Sequence, residues 1–344
     1  MNNQIGYTGN GISVYAQVLY DELQKRGVSV STFKIPQYVK NITGSRIINR
    51  FLYFNFYLNF HQNELSAKNL HLLSTEVLPL KYLKKIKRKV GTLHDFYNLD
   101  SDFVARRLSS FTGIKRIEMQ RIIRQAQETF RHLDEFNHLF TDSNENAERL
   151  VSEFGIPRDK ITVAYPIIEE KFKPMNLEKK ETIIGYINNF NTNKAEKLKV
   201  FIEKFKQFKD NSLRLHIYGK NFPFENEIKG DERIKYFGFL PEERIVETLN
   251  GFSAYLSTSK MEGFGLPVMN AKACKIPVLC YDGNTPKLTK QNTIAWDDED
   301  IEIMLEERAW EKVDVEKAYL DAEECRADKV IPKMLKVYSE VFKW

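Results

Sequence analysis

Short apolar runs rich in β-branched residues alternate with stretches of helical period along this 344-residue chain, and the alternation starts twice. That pattern restricts the chain to parallel sheets covered by helices, because each parallel crossover needs a connection about as long as a helix. In the first half, a helix over residues 12–25 carries Val14, Val18 and Leu19 on one stripe and ends at Gly27, with a strand expected at 28–33. A very aromatic helix is expected at 45–60, buried strands at 70–74 and 89–94, and a long helix from 114 to 133 with Ile114, Ile117, Ile122 and Phe130 as its apolar face. HLFTDS (138–143) reads as a strand that turns into a helix capped by Ser143 or Asn144, and ITVAY (161–165) closes the half. Residues 166–180, with two prolines and no period, read as a linker. The alternation then resumes: strands at 181–187, 213–219, 233–240, 253–259 and 276–282, the last clear one; helices at 194–208, 241–250 and 266–274; and a helical tail from Asp314.

At about 150 residues per domain, the length fits two such halves. Apolar residues make up 42% and charged residues 29%, which excludes a disordered or collagen-like chain. Cys274, Cys280 and Cys325 form no metal-spaced pair, and reduced thiols are expected. The N-terminal residues show no basic segment followed by an apolar core, and the longest apolar stretch, 51–60, is broken by Asn55 and Asn59 and too short to cross a bilayer. The net charge of +5 suits phosphates or an anionic surface without requiring either. It is uneven, since KYLKKIKRK (81–89) has six basic residues in nine, whereas DDEDIE (297–302) is acidic.

Three segments could carry chemistry. In STSKMEGFGLPVMNAKACKIPVL (257–279), an apolar strand enters a loop with Glu262, Gly263 and Gly265, and a helix opens near Leu266 or Pro267. A proline in the first helical turn costs no hydrogen bond, glycines allow close backbone approach, and a helix N-terminus offers N–H groups to an anion such as a diphosphate. Glu262 could accept hydrogen bonds from sugar hydroxyls and Asn270 could bind another; the plainer alternative is an ordinary strand–loop–helix corner. TGNGISVY (8–15) places glycines ahead of a helix, a weak signal because little chain is left for a preceding strand. VGTLHDFYNLD (90–100) delivers His94 and Asp95 to the C-terminal end of a strand, where ligands bind in open parallel sheets. His94 could donate to a substrate hydroxyl or position charge, or be a strand-end histidine satisfied by backbone. His61, His71, His132, His138 and His216 stand alone and read as structural or surface residues. No cluster with metal-ligand spacing appears, so no metal and no cofactor are expected. FLYFNFYLNF (51–60) with 81–89 reads as a membrane-surface or acceptor-docking face, or else as a core helix and a solvated turn. No nucleic-acid module is visible.

EGFGLP followed by NAKACKIPVL resembles the retaining GT-B glycosyltransferases of family 4, the glycosyl transferases group 1 type. Other pieces keep that family's order: GNGISVYAQVLYDELQKRGVSV, LSTEVLP with VGTLHD, FTDSNENAERLVSEFGIPRDKITVAYPIIEEKFKP, IIGYINNFNTNK, LHIYG and YFGFLPEERI. The resemblance implies an α/β chain of GT-B type, two Rossmann-like parallel-sheet domains facing a central cleft. Residues 1–166 would form the acceptor-side domain, with a first strand short or missing, and 167–327 the nucleotide-sugar donor domain. A last helix at 328–344 would pack back on the first domain.

The implied activity is metal-independent transfer, with retention, of a sugar from a UDP- or GDP-sugar substrate to a glycan, lipid-linked or protein acceptor. By the same resemblance, His94 and Glu262 are the catalytic candidates, and Gly9, Gly11, Lys194, Phe264, Gly265, Leu266 and Asn270 the donor-binding ones. Lys194 would neutralise the diphosphate, with Lys197 as second choice, and Asp95 would orient His94 or the acceptor. The implied location is cytoplasmic or peripheral at the inner face of a membrane. Two positions depart from the family pattern: Asn270 replaces a second glutamate, and Tyr186 follows Gly185 where an arginine is usual. These departures motivate an alternative, a catalytically impaired GT-B-like subunit that scaffolds a partner or sugar. A dinucleotide-dependent oxidoreductase is a third reading, weakened because no acidic residue follows a well-formed first strand.

Overall fold

The structure, a computed structural model, describes residues 11–30, 69–73, 83–188, 190 and 195–343. The chain divides into two compact units. The first ends at Ile167 and regains Val330 onward; the second is the continuous stretch Ile168–Lys329.

The first unit is built on a parallel sheet whose described strands lie side by side in chain order: β1 (Asn69–Leu72), β2 (Arg88–Leu93), β3 (His138–Thr141) and β4 (Ile161–Val163). Helix α1 (Gly11–Lys25) buries Tyr15, Val18, Leu19 and Leu23, while Val14 faces out, so the buried stripe begins one residue later than the sequence pattern predicts. Gly27, at φ +74°, ends it in the left-handed conformation, and Val28 N–H reaches back to the Leu23 carbonyl. Val28–Val30 form no strand, and the rest of the strand expected at 28–33, like the helix expected at 45–60, lies outside the described residues.

Ser101–Ser109 is α2, and the long helix α3 (Gly113–Phe130) turns Ile123, Ala126 and Phe130 inward. Ile117, 65% exposed, and Ile122 lie outside that i, i+3, i+7 stripe, which corrects the expected face. Helix α4 (Asn144–Phe154) is capped by the Ser143 hydroxyl, which accepts from Asn146 N–H, and stops at Gly155 with φ +65°. Leu70, Leu93, Phe96, Phe130, Leu139, Leu150 and Ile161 make one core.

The second unit contains β5 (Thr182–Ile187), α5 (Ala195–Gln207), β6 (Leu213–Tyr218), β7 (Ile234–Tyr236), α6 (Glu242–Gly251), β8 (Ala254–Ser257), α7 (Leu266–Ala273), β9 (Val278–Tyr281), the single-turn α8 (Lys287–Lys290) and β10 (Ile294–Trp296). Helices α9 (Ile301–Glu306) and α10 (Val315–Glu323) follow. The six strands are all parallel and run β10-β9-β8-β5-β6-β7 across the sheet. Numbered from β5, that is the order 3-2-1-4-5-6 of a dinucleotide-fold sheet, with its topological switch point between β5 and β8. β10 was not expected; three residues wedged between polar segments give no period to read.

Two features hold the switch point tight. Gly185 of β5 has no room for a side chain, since a Cβ there would stand 2.1 Å from the Phe252 ring. On the other face, Ile184, Leu198, Phe201, Phe205, Leu215, Leu256 and Trp296 form the core, each buried side chain contributing about 1.5–3 kcal/mol. The tail is two helices, α10 and α11 (Ala327–Phe342), separated at 324–326. α11 starts in the second unit, contains Pro332, and belongs from Val330 on to the first. None of the described helices is long and apolar enough to cross a membrane.

Candidate active site

In the first unit, the C-terminal ends of β1, β2 and β3 converge on one histidine. His94 leaves β2 with Nδ1 2.7 Å from Asp142 Oδ2, just past β3, and with Nε2 2.7 Å from the Leu73 carbonyl, just past β1. A carbonyl and a carboxylate are both acceptors, so both ring nitrogens carry a hydrogen in an imidazolium–carboxylate pair. Burial opposes that charge, but the Asp142 carboxylate and the two hydrogen bonds overcome it and push His94 up to about 9. Burial raises Asp142 while the His94 cation pulls it back down. The second oxygen of Asp142, Oδ1, is buried with no hydrogen-bond partner. Asp95 accepts from Tyr97 N–H, and burial raises its carboxyl too. Asn146 of α4 donates to the His94 carbonyl, which ties the strand end to the helix that Ser143 caps.

His94 thus has no ring N–H free of a protein acceptor; a substrate hydroxyl would reach its Nε2 hydrogen only in place of the Leu73 carbonyl. The edge of the Tyr15 ring meets the imidazole at 5.0 Å and 81°. Tyr15 Oη is 3.4 Å from Thr92 Oγ1, Thr92 is 2.7 Å from His71 Nε2, and His71 Nδ1 is 2.6 Å from Tyr338 Oη on α11. Burial drives His71 down to about 3, so this ring is neutral, one nitrogen donating and the other accepting. His71, expected to stand alone, therefore links β1, β2 and the last helix.

In the second unit, the site forms at the switch point. β8 ends at Ser257, and the loop through Glu262 and Gly263 reaches α7, whose N-cap is Gly265 at φ +94°. A Cβ at Gly265 would meet the Thr289 methyl at 2.8 Å, so both conformation and space demand glycine. Pro267 sits in the first turn, and Val268 and Met269 N–H both turn back to the Gly265 carbonyl. Phe264 is buried, with its carbonyl accepting from Thr289 Oγ1 at 2.5 Å. Glu262 is half-buried, its N–H held by the Asn284 carbonyl. Asn270 is half-buried in the middle of α7, one turn beyond Leu266.

Facing this loop across the switch point, buried Tyr186 accepts from Thr258 Oγ1 at 3.4 Å, and Tyr255 Oη donates to the Ile187 carbonyl. Burial raises the Tyr186 phenol, as does the nearby Glu262 charge. A neutral hydroxyl thus lies where the family resemblance would put a guanidinium.

Gly11 is the first residue of α1; Gly9 and Lys194 lie outside the described residues. Lys197 is engaged elsewhere: its ammonium pairs with Asp298 and lies 5.0 Å from the Tyr281 ring centre. Of 81–89, Lys84 is paired loosely with Glu135 at 3.8 Å, Arg88 donates to the Phe342 carbonyl, and Lys89 to the Ile86 carbonyl. Residues 51–60 lie outside the described residues. Asp142, His71 and Lys272 are the residues that sequence reasoning missed. Asp142 could have been found from FTDS, a carboxylate at the end of the strand beside the one bearing His94.

Residues 167–292 match the model of the family described as glycosyl transferases group 1, a stretch that lies almost wholly in the second unit. No curated protein sequence matches the chain significantly. Among solved structures, sucrose-phosphate synthase from Thermosynechococcus elongatus is similar over 97% of this chain and 94% of its own, at 14% identity and a TM-score of 0.67. Anabaena Alr3699/HepE, solved in complex with UDP and glucose, is similar over 98% of both chains at 12% identity and a TM-score of 0.64. TarM is similar over 74% of this chain at 17% identity and a TM-score of 0.57, and this chain spans only 51% of TarM. The fold is therefore GT-B, two parallel-sheet α/β units.

Proposed function

We propose that the protein is a retaining, metal-independent glycosyltransferase of family 4 that takes a sugar from a UDP- or GDP-sugar. The observation that carries this reading is the glycine-opened helix α7 beside Glu262 at the switch point of the second unit, within the stretch that matches the group 1 family. A diphosphate is stabilised by N–H groups at a helix start, and Gly265 keeps that start free of a side chain. Neutralising the departing diphosphate this way, together with Lys194, requires no metal ion. Glu262 holds the donor sugar through its hydroxyls, and Asn270 takes a ribose hydroxyl with one acceptor and two donor positions. HepE, whose structure contains UDP and glucose, supports a UDP-sugar as the first donor to try.

On this reading the second unit holds the donor and the first the acceptor, a glycan, lipid-linked or protein hydroxyl. His94 acts as a fixed imidazolium whose charge Asp142 balances, with its ring orientation set by the hydrogen bonds to Asp142 and the Leu73 carbonyl, and Asp95 stands beside it as an orienting group. The exposed lysines of 81–89 suit a peripheral contact with an anionic membrane on the cytoplasmic side.

A thermal-shift panel of UDP, GDP, ADP and their sugar conjugates tests the reading. A nucleotide at about a hundred times its Kd stabilises its binding unit by about 2.7 kcal/mol. One nucleotide class should give a shift that Glu262→Ala diminishes, and Glu262→Ala and Lys194→Ala should each cut transfer by about tenfold or more, a loss of about 1.4 kcal/mol of transition-state binding. No shift with any nucleotide would overturn it in favour of a non-catalytic scaffold, with Tyr186 and Asn270 as its marks.

A further inference from the structure

Lys272 lies in the last turn of α7 with its side chain fully buried. Its ammonium donates to the Leu288 carbonyl at 2.9 Å, the Gln291 carbonyl at 2.7 Å and Asp321 Oδ2 at 3.0 Å, which uses all three hydrogens. The first two acceptors are end carbonyls of α8, the groups that a short helix leaves without partners. Asp321 of α10 is satisfied in turn by Gln291 Nε2 at 2.6 Å and Asn292 Nδ2 at 2.9 Å. Between the two carbonyls sits Thr289, fully buried, whose hydroxyl holds the Phe264 carbonyl and whose methyl fills the space beside Gly265. The contacts close a ring: the end of α7 grips α8, and α8 grips the loop that starts α7.

We propose that Lys272 is a positioning residue for the donor site, setting the Phe264–Leu266 lip through α8 and Thr289 without touching the donor. This rests on the reading of the second unit as the nucleotide-sugar unit. An apolar residue of similar length would fill the volume yet leave two carbonyls unmatched and the buried Asp321 carboxylate without its counter-charge. The competing role is cement alone, a Lys272–Asp321 pair that only fastens α10 to α7.

Asp321→Asn, the double variant Lys272→Met/Asp321→Asn, Thr289→Val and the triple variant separate the two roles in the full chain, with UDP and GDP as probes. Expected are a nucleotide Kd within about threefold of the parent for Asp321→Asn, a Kd raised about tenfold for the double variant, and a rise for Thr289→Val that adds little on top of the double variant. Amide exchange at Gly265 and Leu266, without nucleotide, should accelerate about tenfold in the double variant but not in Asp321→Asn. A double variant that melts earlier yet keeps the parent's Kd and exchange at those two amides overturns the proposal. If the parent binds neither nucleotide, the donor reading fails instead, and the exchange comparison still decides whether Lys272 sets the lip.

Discussion

Both units place chemistry at the carboxyl ends of parallel strands, but with different materials. The first unit uses side chains: a buried His94–Asp142 pair, with neutral His71 bonded through Thr92 to Tyr15, whose ring meets His94. The second uses backbone: a left-handed glycine, a proline that needs no hydrogen bond and a helix start, with Glu262 as the acidic group beside them. Charge built from side chains titrates, whereas charge built from peptide dipoles does not. The two groups should therefore respond to quite different insults, that of the first unit to pH and isosteric swaps, that of the second to added bulk.

Bulk should have the largest effect. Gly265→Val forces a β-branched residue into φ +94° and into the Thr289 methyl, at a cost of about 3 kcal/mol or more, read as a lowered midpoint in urea and a lost nucleotide shift. If the variant bound nucleotide normally, the backbone half of the comparison would break. Next, Asp142→Ala strands a buried imidazolium and should cost about 3 kcal/mol, whereas Asp142→Asn should cost less and retain nucleotide binding in the second unit.

The pH dependence is sharper still as a discriminator. His94 has a raised pKa, so its contribution is complete below the unfolded value of about 6.5 and is lost as pH rises through about 9, by about 3 kcal/mol in all. His71 is depressed, so its neutral form loses ground as pH falls from about 6.5 toward 3. Stability of the first unit should thus peak near pH 6.5, and Asp142→Asn should flatten its alkaline side, as a denaturation series from pH 5 to 9.5 would reveal. The smallest effect expected is Ser143→Ala, about 1 kcal/mol for a lost helix cap, with little change in nucleotide affinity.

The same contrast explains what the sequence made legible. A backbone site has to be spelled with glycine and proline, and FGLP spells it openly at 264–267. The strand carrying His94 was equally plain, because apolar runs announce buried parallel strands. His94's partner was not, since Asp142 is 48 residues away and becomes its neighbour only once β2 pairs with β3. His71 needed α11, 267 residues further on, before its role could be seen. Lys272 stayed hidden for a different reason: a lysine among alanines reads as a solvated position, and only the acceptors around it account for its burial. Ile117 misled because it is apolar but one position off the stripe that faces the core.

The return of α11 to the first unit has a consequence for how the protein is made. A ribosome delivers Ile168–Lys329 as an uninterrupted stretch, complete before Tyr338 has been added. The half that is begun first is therefore finished last, because His71 waits for its hydroxyl partner and Arg88 for the Phe342 carbonyl. A nascent chain stalled before residue 330 would carry a closed second half and an unsealed first one, with the Thr92–His71 end of its polar chain open to water.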